Sequence, residues 1–280
     1  MNRIEKTFAQ LRRRREPALV PFIVAGDPTL EQTESLVLEL EARGADLVEL
    51  GVPFSDPAAD GPANQRALER GLRAGASVDK ILALVARLRS RSQIALVLFG
   101  YFNPVLRYGC ARFCADAGRA GVDGLLIVDL PPEEAGELRR PARACGLDLI
   151  HLLAPTTPAA RAARIVRMAR GFLYYVSVAG VTGVRDKLPS ELEPRVAALR
   201  RLTDLPIGVG FGISTPAQAA AVASFADAAV VGSAFSLLIE RHGASAEALE
   251  AVGALAGQMK AAMRQARAGG PRQAQPPDDL

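Results

Sequence analysis

Residues 46–62 read DLVELGVPFSDPAADGP, an apolar run that opens into a loop of Pro, Gly and Asp. Residues 47–51 have the near-continuous apolar character of a parallel strand covered on both faces by helices. Glu49 interrupts that run. An unpaired buried charge costs several kcal/mol, against a net domain stability of about 5–15 kcal/mol, so Glu49 must be partnered, protonated or used. Asp56 and Asp60 follow it in the loop.

Similar runs lie at 19–25, 95–99, 125–129, 149–153, 172–177, 207–210 and 228–231, separated by stretches rich in Ala, Arg, Leu and Glu. With residues 47–51 they make eight βα repeats in about 250 residues, the pattern of an α/β (β/α)8 TIM barrel. An open doubly wound sheet is the alternative, but no G-x-G-x-x-G follows the first run. Extra N-terminal and C-terminal helices are expected at 2–14 and 244–267. Residues 1–268 then form a single TIM-barrel catalytic domain. Residues 269–280, nearly devoid of apolar side chains, are expected to be a disordered C-terminal tail.

Composition excludes several classes. A net charge of +4 leaves no nucleic-acid footprint, and Arg12 to Arg15 read as the solvated face of a helix. No uncharged run approaches the ~20 apolar residues of a membrane span, and residues 1–10 lack the apolar core of a secretory signal, so a cytoplasmic protein is expected. Cys110, Cys114 and Cys145 lack the paired spacing of a zinc site and read as small buried hydrophobes.

In TIM barrels the chemistry sits at the C-terminal strand ends. Gly210-Phe211-Gly212 and Gly232-Ser233 fall there, with helix starts at Ser214-Thr215-Pro216 and Ser233. Glycines permit close backbone approach and helix N-termini favour a phosphate, although the same glycines also suit plain tight turns. Asp27 follows the first run and Asp129 ends the fourth. None of Lys6, Lys80, Lys187 and Lys260 falls on a strand end where imine chemistry needs it. His151 and His242 alone do not make a metal site, and His151 reads as a core or rim histidine. Proton transfer therefore falls to carboxylate and phenol, with Glu49 and Asp60 foremost.

The runs Pro21 to Pro28, Glu49 to Pro62, Ala179 to Gly183 and Gly210 to Ser214 resemble the tryptophan synthase α-chain family, with landmarks from the first strand to the eighth. The resemblance implies cleavage of indole-3-glycerol phosphate to indole and glyceraldehyde 3-phosphate. It implies no cofactor and no metal in this chain, and a β chain carrying pyridoxal phosphate in an α2β2 heterotetramer. It implies that Glu49 is the acid/base, that Asp60 accepts the indole N–H, and that Tyr174 rather than Tyr175 is the site tyrosine. Phe22, Phe99, Leu126, Phe211 and Val231 are expected to wall the indole, and Gly183, Gly212, Gly232 and Ser233 to hold the phosphate. Segments 54–61 and 179–189 are expected to act as lids, with Thr182 meeting the catalytic end on closure. The partner is expected to dock on the same rim, at Pro53, Phe54 and Pro57, at Phe102-Asn103-Pro104 and at Leu130-Pro131-Pro132. A different phosphate-binding barrel isomerase and a catalytically inactive regulatory barrel are the competing classes.

Overall fold

Side chains along the strands alternate between two separate hydrophobic cores. On β1 (Ala18–Val24), Ala18, Val20, Phe22 and Val24 belong to the inner core, while Leu19 and Ile23 belong to the outer one. Both faces are buried, which is why these strands read as unbroken apolar runs. In the computed structural model, which describes residues 2–176, 189–210 and 212–269, the strands close into a parallel barrel in sequence order. The remaining strands are β2 (Leu47–Gly51), β3 (Ala95–Gly100), β4 (Gly124–Ile127), β5 (Asp148–Leu153), β6 (Leu173–Val176), β7 (Ile207–Gly210) and β8 (Ala228–Val231).

Helix α1 (Arg3–Arg14) precedes β1 and α2 (Leu30–Ala42) follows it. Two helices, not one, follow β2 and β3: α3 (Pro62–Arg73) with α4 (Val78–Leu88), and α5 (Phe102–Tyr108) with α6 (Cys110–Ala120). Single helices α7 (Gly136–Ala144), α8 (Ala159–Met168), α9 (Leu192–Arg200) and α10 (Pro216–Ala223) follow β4 to β7, and α11 (Ser233–His242) and α12 (Ala246–Gly269) follow β8. The doubling after β2 and β3 departs from the one-helix-per-strand expectation; a glycine or glycine-bearing turn at Gly75 and Gly109, both at positive φ, breaks each pair. The fourth strand stops at Ile127, two residues short of Asp129, whose Oδ1 instead accepts the Phe102 N–H at 2.7 Å. Helix α12 continues through Gly269, and the rest of the expected tail, 270–280, lies outside the described residues.

The N-terminal end of the barrel is sealed by a repeated device. Asp46, Asp123 and Asp227 each immediately precede a strand, and each accepts the backbone N–H of the preceding strand, from Leu19 at 2.8 Å, Leu96 at 2.9 Å and Ile207 at 2.9 Å. Each carboxylate also meets a cation: Lys260 at 2.7 Å, Arg89 at 2.9 Å and Arg200 at 2.9 Å respectively. Lys260 is itself buried and donates to the Pro17 carbonyl, so α12 is fastened to the base of β1. Buried charges persist where such partners satisfy them.

Helix α1 plugs the same end. Its Asn2 capping box and its buried Ile4, Phe8 and Leu11 set an apolar stripe into the inner core, and Phe8 meets Phe172 with ring centroids 5.7 Å apart. Phe8→Ala should therefore cost about 3–5 kcal/mol of unfolding free energy in urea titration. A loss under ~1 kcal/mol would show that the plug does not hold the barrel closed.

Candidate active site

Glu49 projects into the barrel from β2, in register with Phe22 on β1 and Val97 on β3. It is 1% exposed, and neither carboxyl oxygen has a hydrogen-bond partner among the described residues. Burial without a donor disfavours the charged form and pushes the carboxyl up to about 8. At neutral pH Glu49 is therefore mainly a protonated acid in an apolar lumen.

Tyr174 enters the same lumen from β6, while Tyr175 belongs to the outer core. A Cβ on Gly210, its β7 neighbour, would lie 2.0 Å from the Tyr174 hydroxyl, so the phenol occupies space that only glycine leaves free. Burial drives the phenol well above its ordinary value, and the charges of Glu49 and Asp60 push the same way.

Asp60 sits in a different environment. The loop from β2 to α3 turns through an Asp60 N–H to Pro57 carbonyl bond of 3.0 Å and lays Phe54 against Tyr101 with ring centroids 5.1 Å apart. The Tyr101 hydroxyl donates to Asp60 Oδ2 at 2.6 Å and accepts the Ala59 N–H at 3.0 Å. Desolvation raises the Asp60 carboxyl above the ordinary range, while hydrogen bonds from Tyr101 and Asn64 pull it back down. Glu49 has burial and no donor; Asp60 has burial and two. Burial therefore opposes the charged form at both groups, and only at Asp60 do hydrogen bonds act against it.

Phe22, Phe99 and Leu126 line the lumen beside Glu49, with the two phenyl rings edge to face at 5.0 Å. Val231 does not join them: it faces the outer core, and on β8 it is its neighbour Val230, with Ala228, that belongs to the inner one. The expectation was one residue out of phase on a strand where both faces are apolar. Sequence reading also missed Tyr101 and Asn64, which hold Asp60.

Of the two helix starts considered for phosphate, one is already closed. In α10 the Thr215 hydroxyl accepts the Gln218 N–H, and the Gln218 side-chain oxygen accepts from Ser214 and Thr215. In α11 no side chain caps the N-terminus, so the N–H groups after Gly232 remain available. Gly212, at φ +81°, turns the chain just past β7. Thr182, Gly183, Phe211 and all of the 179–189 segment except Pro189 lie outside the described residues.

His151 alternates outward from β5, with Nε2 unpartnered among the described residues, and burial lowers its imidazole to about 4, which keeps it neutral. His242 ends α11. Among the described residues no group of three His, Cys, Asp or Glu side chains is placed to hold a metal ion, and no helix is long and apolar enough to cross a membrane.

The sequence profile of the tryptophan synthase alpha chain matches residues 8–264. The chain belongs to the tryptophan synthase alpha chain family. It is 54% identical over 260 residues to the tryptophan synthase alpha chain of a Geobacter species, covering 93% of this chain and 97% of that one. The crystal structure of tryptophan synthase subunit alpha from Legionella pneumophila superposes with a TM-score of 0.88 at 44% identity, over 95% of this chain and 99% of that one. A structure of Mycobacterium tuberculosis tryptophan synthase superposes at 0.86 with 36% identity, over 94% and 98% of the two chains. Members of this family are lyases that cleave indole-3-glycerol phosphate in tryptophan biosynthesis, and the family name implies a β-chain partner.

The protonation of Glu49 has a consequence for stability. An unfolded glutamate titrates near 4.5 and the folded one near 8. Between those values the folded chain holds a proton that the unfolded chain has released, so stability present below the lower value is lost as pH rises to the upper one. Glu49→Gln cannot lose that proton. Its stability relative to the parent, read from thermal melts, should rise steadily from about pH 4.5 to about pH 8 and then level off, on the order of a few kcal/mol at the plateau. A pH-independent difference in thermal melts would mean that Glu49 is ionised in the folded state.

Proposed function

We propose that Glu49 and Asp60 carry out the retro-aldol cleavage, and that the buried carboxyl of Glu49, partnerless among the described residues, is the observation that best supports this assignment. Protonated Glu49 gives its proton to indole C3, forming an indolenine cation. The Glu49 carboxylate then takes the proton of the adjacent glycerol hydroxyl. The C–C bond breaks, its electron pair restores the indole, the alcohol carbon becomes the aldehyde of glyceraldehyde 3-phosphate, and Glu49 is again protonated. Asp60 accepts the indole N–H and stabilises the cation, the role that two hydrogen-bond donors to its carboxylate favour. Tyr174 packs beside the reacting carbons, Phe22, Phe99, Leu126 and Val230 enclose the ring, and Gly212, Gly232 and Ser233 receive the phosphate at the open N-terminus of α11.

In this reading the chain needs no cofactor of its own and works in the cytoplasm. It hands indole to a pyridoxal-phosphate β chain in an α2β2 heterotetramer that docks on the rim carrying the site. Of the rim residues expected to meet that partner, Pro53, Leu130 and Pro132 are buried within the chain, leaving Phe54, Pro57, Phe102, Asn103, Pro104 and Pro131 at the surface.

The test is direct: incubated with indole-3-glycerol phosphate, the purified chain should release indole and glyceraldehyde 3-phosphate in equal amounts. Glu49→Gln should lower turnover by ~10²-fold or more because an amide cannot cycle a proton, and Asp60→Asn by ~10²–10³-fold. A wild-type chain inert on this substrate but active on another sugar phosphate would favour the isomerase class instead. Mixed with a tryptophan synthase β chain, the protein should co-elute with it on a sizing column and release indole faster. Separate elution at unchanged rate would show that it works alone.

A further inference from the structure

We propose that Asn64 is a positioning residue that ties the N-terminus of α11 to the orientation of the Asp60 carboxylate. The proposal rests on the reading that Asp60 and the Gly232 turn serve one phosphorylated substrate.

Asn64 lies in the first turn of α3 and is 9% exposed. A buried carboxamide is costly unless its polar atoms are satisfied, and asparagine is a poor choice for packing inside a helix. Both ends of this one are committed. Its Oδ1 accepts the hydroxyl of Ser236 at 2.9 Å, in a buried contact between α3 and α11. A helical serine usually turns its hydroxyl back to its own helix, whereas Gly232 O here takes only the backbone N–H groups of Phe235 and Ser236. Acceptance at Oδ1 fixes which way the amide faces, so Nδ2 points away from α11's interior. On that side the amide opposes the rise that burial imposes on the Asp60 carboxyl, four residues earlier in the chain. It also lies against the Gly232 turn, 3.4 Å from where a Cβ on Gly232 would stand.

The two helices are held in register from the outside as well. Arg66 and Arg70 on α3 both reach Glu240 on α11, at 2.6 and 3.1 Å, and Arg70 forms a second pair with the buried Asp27 at 2.7 Å. The α3–α11 pair therefore behaves as one clamp, with the phosphate turn at its mouth and the Asn64 amide between that turn and Asp60. Tyr101 fixes Asp60 from the β3 side; Asn64 fixes it from the α11 side. An anion seated on the first turn of α11 thus acts on the helix that sets the amide, and the amide acts on the carboxylate.

The other titratable groups around Asp60 are Tyr101 at the end of β3 with Asp129 past β4 beside it, and Tyr174 on β6, which senses both Asp60 and Glu49 on β2. None of these lies on α11, so a response of Asp60 to changes at Ser236 runs through Asn64.

The experiment is a carbon-13 NMR titration of the Asp60 carboxyl in the full chain, repeated with ~10 mM inorganic phosphate as the probe. Asn64→Leu, close in volume to the parent, removes the donor and should raise the Asp60 midpoint by about one pH unit, since a donor to the charged form lowers it. Ser236→Ala should shift it the same way by less, and the double variant should match Asn64→Leu alone instead of summing the two. The response of the midpoint to phosphate should shrink in both single variants. In steady-state cleavage of indole-3-glycerol phosphate, Asn64→Leu should lower kcat by ~10-fold with KM within ~3-fold, the signature of a group acting on the transition state. Should Asn64→Leu fail to fold, Ser236→Ala carries the same comparison. Cooperative melts with an unmoved Asp60 midpoint, or additive shifts in the double variant, would overturn the proposal and leave Asn64 as packing. Absence of indole from the wild type, with the NMR shifts present, would instead overturn the assigned reaction and leave the coupling standing.

Discussion

A carboxyl group without a partner among the described residues, held in the lumen of a closed barrel, is the constraint on which the rest of the molecule turns. Glu49 is stable there only as an acid, and it remains an acid only while water and cations are kept away. Closure of eight strands supplies the first condition, and an inner layer of aliphatic and aromatic side chains that brings no cation to Glu49 among the described residues supplies the second. A lysine or arginine reaching Glu49 would add stability and return its pKa toward the ordinary carboxylate range, removing the acid that the proposed reaction uses.

The distribution of cations follows from that. At the N-terminal end Arg89, Lys260 and Arg200 satisfy Asp123, Asp46 and Asp227 and α1 plugs the opening, while at the other end Arg70 meets Asp27 outside the lumen. At the C-terminal end Asp60 receives neutral donors, a phenol and an amide, in place of a guanidinium. Neutral donors steady the carboxyl without bringing a full positive charge to it, which in the proposed reaction leaves its charge to meet a developing cation. One end of the barrel is built for closure and the other for reaction.

Much of this was legible before any coordinates. Eight apolar runs announced the barrel because strands buried on both faces carry no polar alternation, and Glu49 stood out as a charge within such a run. The same uniformity hid the phase of β8: with Val230 and Val231 both apolar, nothing in the sequence says which faces the lumen, and Val231 was the wrong one. Paired helices after β2 and β3 were missed because a single glycine-bearing turn inside an Ala- and Arg-rich stretch looks like a tolerated interruption. The Asp that precedes β2, β4 and β8 is a visible repeat whose meaning appears only when its carboxylate is seen on the neighbouring strand's N–H. Tyr101 gave no local signal, for its partner Asp60 arrives through folding from 41 residues away, and Asn64, though close to Asp60 in sequence, is oriented by Ser236 from the far end of the chain.

The glycines show how far function can sit from the residue that acts. Gly210 reads as turn chemistry, yet its backbone is ordinary strand in a parallel ladder with Val176. What it contributes is an absence: the Tyr174 phenol lies where any side chain at 210 would be. Gly51 serves Phe22 in the same manner, with a Cβ there standing 2.8 Å from the ring. Two large aromatic groups can therefore share the inner layer with Glu49 because β2 and β7 withdraw at the heights where those rings cross. The shape of the lumen is set as much by these missing side chains as by the aromatic rings themselves, and a change at either glycine would act on the reaction by displacing a neighbour that never changes identity.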